Sequence, residues 1–169
     1  MQALVEAGLP VAAVVDHGKF ASREAFDEAL ACEIDRHRPR LVALAGFMRV
    51  LTPGFVARYQ NRLLNIHPSL LPAFPGLGTH ARALAAGVKL HGCTVHFVTA
   101  ELDSGPIVIQ AVLRVRPGEQ PAELAARVLR QEHVIYPRAA RWFLDDKLVI
   151  QDAVVRVKGD DAQLVLAAD

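Results

Sequence analysis

The apolar positions of this chain fall in short continuous runs separated by stretches of helical spacing, an alternation that predicts strands and helices in turn. Leu41-Val42-Ala43-Leu44-Ala45 is apolar throughout, as in a parallel strand covered on both faces. Ahead of it, Ser22 is placed to cap a helix from Arg23 to about His37. Phe26, Ala29, Leu30 and Ile34 recur along it at helical spacing, and Pro39 ends it. Earlier still, Gln2 to Ala7 reads as a last helical turn, Gly8 as its cap and Val11 to Val15 as a strand.

The β-α-β order then repeats. Thr52-Pro53 starts a short helix with proline at its tolerated first position, and Leu63-Leu64-Asn65-Ile66 is the next strand. Thr79 caps a helix to Ala86, and Gly87 ends it. Cys93 to Val98 and Ile107 to Val112 read as strands, the partial alternation of the second giving it a more exposed place in the sheet. Pro121 opens a long helix through Trp142, with Leu124, Val128 and Ile135 near one face and Pro137 set to kink or divide it. Leu148 to Ile150, Val154 to Val157 and Leu164 to Leu166 make a small β tail over 145–169. The expected architecture is α/β in one domain over 1–169: a Rossmann-like, mostly parallel central sheet with helices on both faces.

Length and composition narrow the function classes. A chain of 169 residues with 52% hydrophobic content can bury a sizeable core. Nineteen Lys and Arg against eighteen Asp and Glu leave a net charge of +1, which gives no broad basic surface for nucleic acid. No apolar run approaches a membrane span, and the first residues lack the basic region and apolar core of a signal peptide, so a cytoplasmic protein is expected. Cys32 and Cys93 fall in a helix and a strand and read as buried thiols.

Two proline-bearing segments carry the candidate chemistry. Asn65-Ile66-His67-Pro68-Ser69-Leu70-Leu71-Pro72 and Glu101-Leu102-Asp103-Ser104-Gly105-Pro106 each follow a β-forming run, so both belong where strands emerge at one edge of a sheet. Asn65 and His67, two apart in an extended segment, point to one side, and Pro68 keeps His67 extended. Gly105 permits a sharp turn and Pro106 stiffens its exit, which places the Asp103 carboxylate. An amide donor, an imidazole and a carboxylate together suit acyl transfer without a covalent enzyme intermediate. The plainer reading is an asparagine closing a strand, a histidine capping a turn and an aspartate bonding its own turn. His67, His91 and His96 have neither His-x-x-x-His spacing nor a cysteine pair, so no metal is expected. Ser69 and Ser104 lie in no nucleophile elbow.

Taken in order, these two segments, Phe74-Pro75-Gly76-Leu77, Thr79-His80 and Gly92 to Val98 resemble the folate-dependent formyltransferase superfamily. Gln131-Glu132-His133-Val134-Ile135-Tyr136-Pro137 narrows the resemblance to the branch acting on glycinamide ribonucleotide. The resemblance runs from about Gly8 to Trp142 and implies 10-formyltetrahydrofolate as cosubstrate, small-molecule partners only, and room for a homodimer. It further implies Asn65, His67 and Asp103 as the catalytic trio, with Asn65 meeting the oxyanion, His67 as general acid and Asp103 raising the His67 pKa. The folate site would comprise Arg23, Met48, Arg49, Val50, Leu51, Asn65, Val98, Thr99, Ala100, Glu101, Leu102 and Asp103. Gly46, Phe47, Leu129, Arg130, Gln131 and Glu132 would face the ribonucleotide. Met48, Val50, Leu51 and Phe55 suit either a core or a wall for a flat ring.

The chain departs from that family at its start, where a strand and a glycine- and serine-rich turn normally grip the substrate phosphate. About 40 residues, one βαβ unit, are expected to be missing ahead of Met1, through a late assigned start or a true truncation. Loss of that strand predicts an unstable or oligomeric fragment that binds the ribonucleotide poorly. Gly78 and Ala100 stand where relatives more often carry histidine and a polar residue. Alternatives are a noncatalytic folate-binding remnant, a methionyl-tRNA formyltransferase or a formyltetrahydrofolate deformylase. The last two would be expected to carry an additional domain.

Overall fold

The Ser22 hydroxyl accepts a hydrogen bond from the Ala25 amide at 3.1 Å and so opens helix α1, Arg23–Arg36. The computed structural model describes residues 13–167, in two units, Met1–Pro39 and Arg40–Asp169. In the first unit, the expected helical turn before Gly8 and the start of the Val11 strand lie outside the described residues. Ala13 to Val15 are not in a strand. Asp16 instead accepts from the Gly18 amide at 3.0 Å and turns the chain into a short 3-10 helix, His17–Lys19. Cys32 is exposed, contrary to expectation: on α1 it sits one turn from Glu28, with its Sγ 3.6 Å from that carboxylate, on the outward side of the helix.

The second unit holds strands β1 (Val42–Leu44), β2 (Leu63–His67), β3 (Leu90–Phe97), β4 (Ile107–Arg114), β5 (Leu148–Gln151), β6 (Val154–Val157) and β7 (Leu164–Leu166). Its helices are α2 (Pro53–Arg58), α3 (Thr79–Ala85) and α4 (Pro121–Leu144). The main sheet has the order β1-β2-β3-β4-β7. β1 is parallel to β2 and β4 to β7, while β3 runs against both of its neighbours, so four of the five strands share one direction. This is the expected α/β class.

Three expectations change. β4 is not peripheral, since β3 and β7 flank it; its alternation arises because Ile109, Ala111 and Leu113 enter the core while Gln110 serves polar partners. The tail is not one small sheet: β5 and β6 form a hairpin, and β7 leaves them to pair with β4 at the sheet edge. β1 is shorter than Leu41 to Ala45 and has Ala43 exposed, because among the described residues it has a strand partner on one side only.

Helix α4 is continuous through Pro137. Leu124, Val128, Ile135, Ala139 and Trp142 bury its inner face against Leu64, Cys93, Val95 and Phe97, and that apolar contact outweighs the hydrogen bond that proline cannot make. Burial pushes the Cys93 thiol up to about 12, so it is an inert core group. Across the helix, the Tyr136 hydroxyl lies 2.8 Å from the Leu44 carbonyl and 3.0 Å from that of Leu64, tying α4 to β1 and β2. On α3, Thr79 is the first helical residue rather than the cap; Gly78, at φ 68°, takes the cap position.

Candidate active site

Asn65 and His67 close β2, two residues apart on one face, and the antiparallel register sets them opposite His96 and Thr94 of β3. The chain after His67 is held down by a buried polar network. The Thr94 hydroxyl donates to the Ser69 carbonyl at 2.7 Å and accepts from the Leu71 amide at 3.1 Å. The Gln110 amide reaches Thr94 Oγ1 at 2.9 Å and the Leu71 carbonyl at 3.0 Å. Every member is bonded, so the segment that carries His67 is rigid.

Asp103 comes from the loop between β3 and β4, in a left-handed conformation with φ 51°. Gly105 owes its identity to closeness rather than to turn handedness: a Cβ there would stand 1.8 Å from the Phe97 carbonyl oxygen. That contact, with the Phe97 amide donating to the Pro106 carbonyl at 2.9 Å, presses the loop onto the end of β3.

His67 and Asp103 pair directly, while Asn65 reaches Asp103 only through His96. His67 Nδ1 lies 3.4 Å from Asp103 Oδ2, and both side chains are more than nine-tenths buried. The same Oδ2 accepts from the Gly76 amide at 2.8 Å, and His67 Nε2 is 3.0 Å from the Phe74 carbonyl. Asn65 Nδ2 is 3.3 Å from His96 Nε2, which stands 3.8 Å from Asp103 Oδ1.

Two adjoining cavities open on this cluster. The smaller, about 70 Å³, is lined by Asn65, His96, Leu44, Phe47, Arg49, Val50, Leu51, Val56 and the stretch Val98 to Asp103. The larger, about 770 Å³, is lined by Gly46 to Val50, Asn65 to Pro68, Gly76 to His80, Leu102, Asp103 and Glu132. Phe47, Arg49, Val50, Asn65, Leu102 and Asp103 line both. The residues expected to hold the folate therefore gather at the smaller cavity, apart from Met48, which lines the larger, and Arg23, which is the first residue of α1 in the other unit. Gly46, Phe47 and Glu132 line the larger cavity, whereas Leu129, Arg130 and Gln131 line neither.

The surrounding groups favour neutral forms. Burial first, then His67, lowers the pKa of His80; burial likewise lowers that of His96. Burial raises the pKa of Glu132, a carboxyl facing the cavity. His80 Nδ1 is 3.1 Å from His91 Nε2. Sequence reasoning missed His96, His80, Pro68 and the Gly76 to Thr79 turn as site components; the alternation along β3 could have put His96 on one face with Thr94, and only the pairing with β2 sets it beside Asn65. Among the described residues no cluster of His, Cys, Asp and Glu could hold a metal ion, and no helix is long and apolar enough to cross a membrane.

The fold is that of a known protein family. The sequence pattern of the family described as formyl transferase matches residues 2–140, and the chain belongs to that family. It is 51% identical over 140 residues to the phosphoribosylglycinamide formyltransferase of Escherichia coli, covering 83% of this chain and 66% of that protein. The chain thus spans less than two thirds of that relative. A crystal structure of phosphoribosylglycinamide formyltransferase from Anaplasma phagocytophilum superposes with a TM-score of 0.88 at 37% identity, over 98% of this chain and 78% of that one. A formyltetrahydrofolate deformylase from Pseudomonas syringae superposes with a TM-score of 0.82 at 32% identity, over 92% of this chain and 52% of that one.

Proposed function

We propose that this chain carries a formyl-transfer site that moves the formyl group of 10-formyltetrahydrofolate to the primary amine of glycinamide ribonucleotide, a step of purine synthesis in the cytoplasm. The observation that carries the reading is the convergence of Asn65, His67 and Asp103 where two cavities adjoin. Likeness to phosphoribosylglycinamide formyltransferases supports the choice of acceptor.

The residues present fit both reactants. The smaller cavity offers an apolar wall of Val50, Leu51, Val56 and Leu102 with the stretch Val98 to Asp103 along it, which suits a planar heteroaromatic ring. The larger offers Glu132 to the hydroxyls of a ribose, with Gly46 and Phe47 beside it. The folate supplies an activated formyl carbon. Asn65 donates from its amide to the formyl oxygen as the amine adds and negative charge builds there, and it does so without titrating. Asp103 holds the His67 ring through Nδ1 and supplies the counter-charge to its protonated form. His67 then exchanges the Phe74 carbonyl for the departing folate nitrogen and gives it the Nε2 proton. The bond formed is amine nitrogen to formyl carbon and the bond broken is formyl carbon to folate nitrogen; the proton that the adding amine sheds, directly or through solvent, replaces the one His67 gives up.

The test is an assay of the purified chain with 10-formyltetrahydrofolate, with and without glycinamide ribonucleotide. Formylated ribonucleotide, produced only when both are present, is the expected result. Formate released without the acceptor would replace the reading with a deformylase, and folate binding with no turnover would replace it with a noncatalytic folate site.

A further inference from the structure

We infer that His96 is a positioning residue that fixes which way the Asn65 amide faces, accepting a hydrogen bond from it at Nε2 while its own Nδ1–H is held by the Phe97 carbonyl. This rests on the reading of Asn65 as the donor to the formyl oxygen.

The orientation of an asparagine amide follows from its partners, since nitrogen and oxygen have nearly the same shape. Here the partners decide it in two steps. The Phe97 carbonyl can only accept, and it lies 2.9 Å from His96 Nδ1, so Nδ1 carries a hydrogen. In a neutral ring Nε2 is then a bare lone pair, which only a donor satisfies. The Asn65 atom 3.3 Å away must be the NH2 group, and Oδ1 faces elsewhere. One amide N–H is spent on His96; the other remains for an oxygen in the cavity that both residues line.

His96 is suited to hold this state. Its side chain is 2% exposed, and burial lowers its pKa. The charged and titratable groups facing it are Asp103, whose Oδ1 lies 3.8 Å from Nε2 and favours a proton there, and His67, which opposes one. Were Nε2 protonated, it would donate toward Asp103, and Asn65 would have to turn its oxygen to the ring or lose its partner. Either change removes the oriented donor.

Two measurements test this. Ring nitrogen NMR of the labelled chain at neutral pH should find His96 protonated at Nδ1 and bare at Nε2; a proton on Nε2 overturns the inference whatever the activity. In the formyl-transfer assay, His96→Leu should lower kcat about 100-fold with KM nearly unchanged, the loss of one aligned donor, whereas His96→Gln, which can still accept from Asn65, should keep kcat within about tenfold of the parent. Full kcat in His96→Leu, or equal losses in the two variants, would overturn it. Asn65→Ala separates the two claims: if it retains turnover, the role of Asn65 fails; if it collapses while His96→Leu does not, only the role of His96 fails. If His96→Leu does not fold, the tautomer measurement alone decides.

Discussion

Gly105 and Phe97 approach so closely that a methyl group on the glycine would overlap the carbonyl oxygen of the phenylalanine, with 1.8 Å between their centres. The clash is with backbone at the end of a central strand, which no rotamer change relieves. Gly105→Ala should therefore destabilise the fold by about 1–3 kcal/mol and displace the loop that carries Asp103. Denaturant unfolding would read the first effect and the formyl-transfer rate the second. An unchanged midpoint would mean that the loop is not pressed onto β3 as described.

Asp103→Asn is the sharper probe of the site because it keeps shape while removing charge. The carboxylate accepts from the Gly76 amide at 2.8 Å and faces His67 Nδ1 at 3.4 Å through the same oxygen. An asparagine oxygen can keep the bond to Gly76 but not the counter-charge for a protonated ring. Turnover should fall about 100-fold or more, as it should in His67→Ala, and the double variant should fall little further, because the two act as one unit. Multiplying losses in the double variant would contradict that pairing.

Tyr136→Phe addresses how α4 is held in phase with the sheet. The hydroxyl spans the Leu44 and Leu64 carbonyls, one residue before Asn65 and two before Gly46, while Glu132 lies one helical turn away on the same helix. Removing it should cost about 1–2 kcal/mol in stability. It should also raise KM for the ribonucleotide more than it lowers kcat, since Glu132 is the proposed ribose contact. A change in kcat alone would argue against that division of labour.

Much of this arrangement was legible in the residues themselves. Ser22 and Thr52 cap helices as their hydroxyls allow, with Thr52 Oγ1 accepting from the Phe55 amide at 3.3 Å, and the proline-bounded runs at Asn65 and Asp103 identified the loops that meet. What escaped depends on long-range register. His96 reads as one of three polar residues in β3, with His91 and Thr94, until the antiparallel pairing of β2 and β3 sets it across from Asn65. Gly105 reads as a turn residue until the Phe97 carbonyl is seen against it. β7 reads as part of a separate tail because three apolar residues say nothing of which strand edge they will join.

His91 gives the fold a dependence on acidity that is independent of the chemistry. Its ring is 1% exposed and Nε2 is bonded to His80. Burial first, then the charge of His80, push its pKa down to about 4; the Pro68 carbonyl favours a proton on the ring but does not offset them. The unfolded chain takes up a proton near pH 6.5 that the folded ring refuses until about pH 4, so stability falls as the pH falls through that window and is unaffected by this group above it. The difference corresponds to about 3 kcal/mol. His80 and His96, whose pKa values are also lowered, add a loss of the same sign, so the contribution of His91 must be isolated by difference. His91→Gln, which can still bond His80 and does not titrate, should lose less stability than the parent between pH 6.5 and 4, with the two curves parallel above pH 7. Denaturant unfolding of both proteins at a series of pH values measures this, and curves that stay parallel through the window would show that His91 is protonated in the folded protein as readily as in the unfolded one.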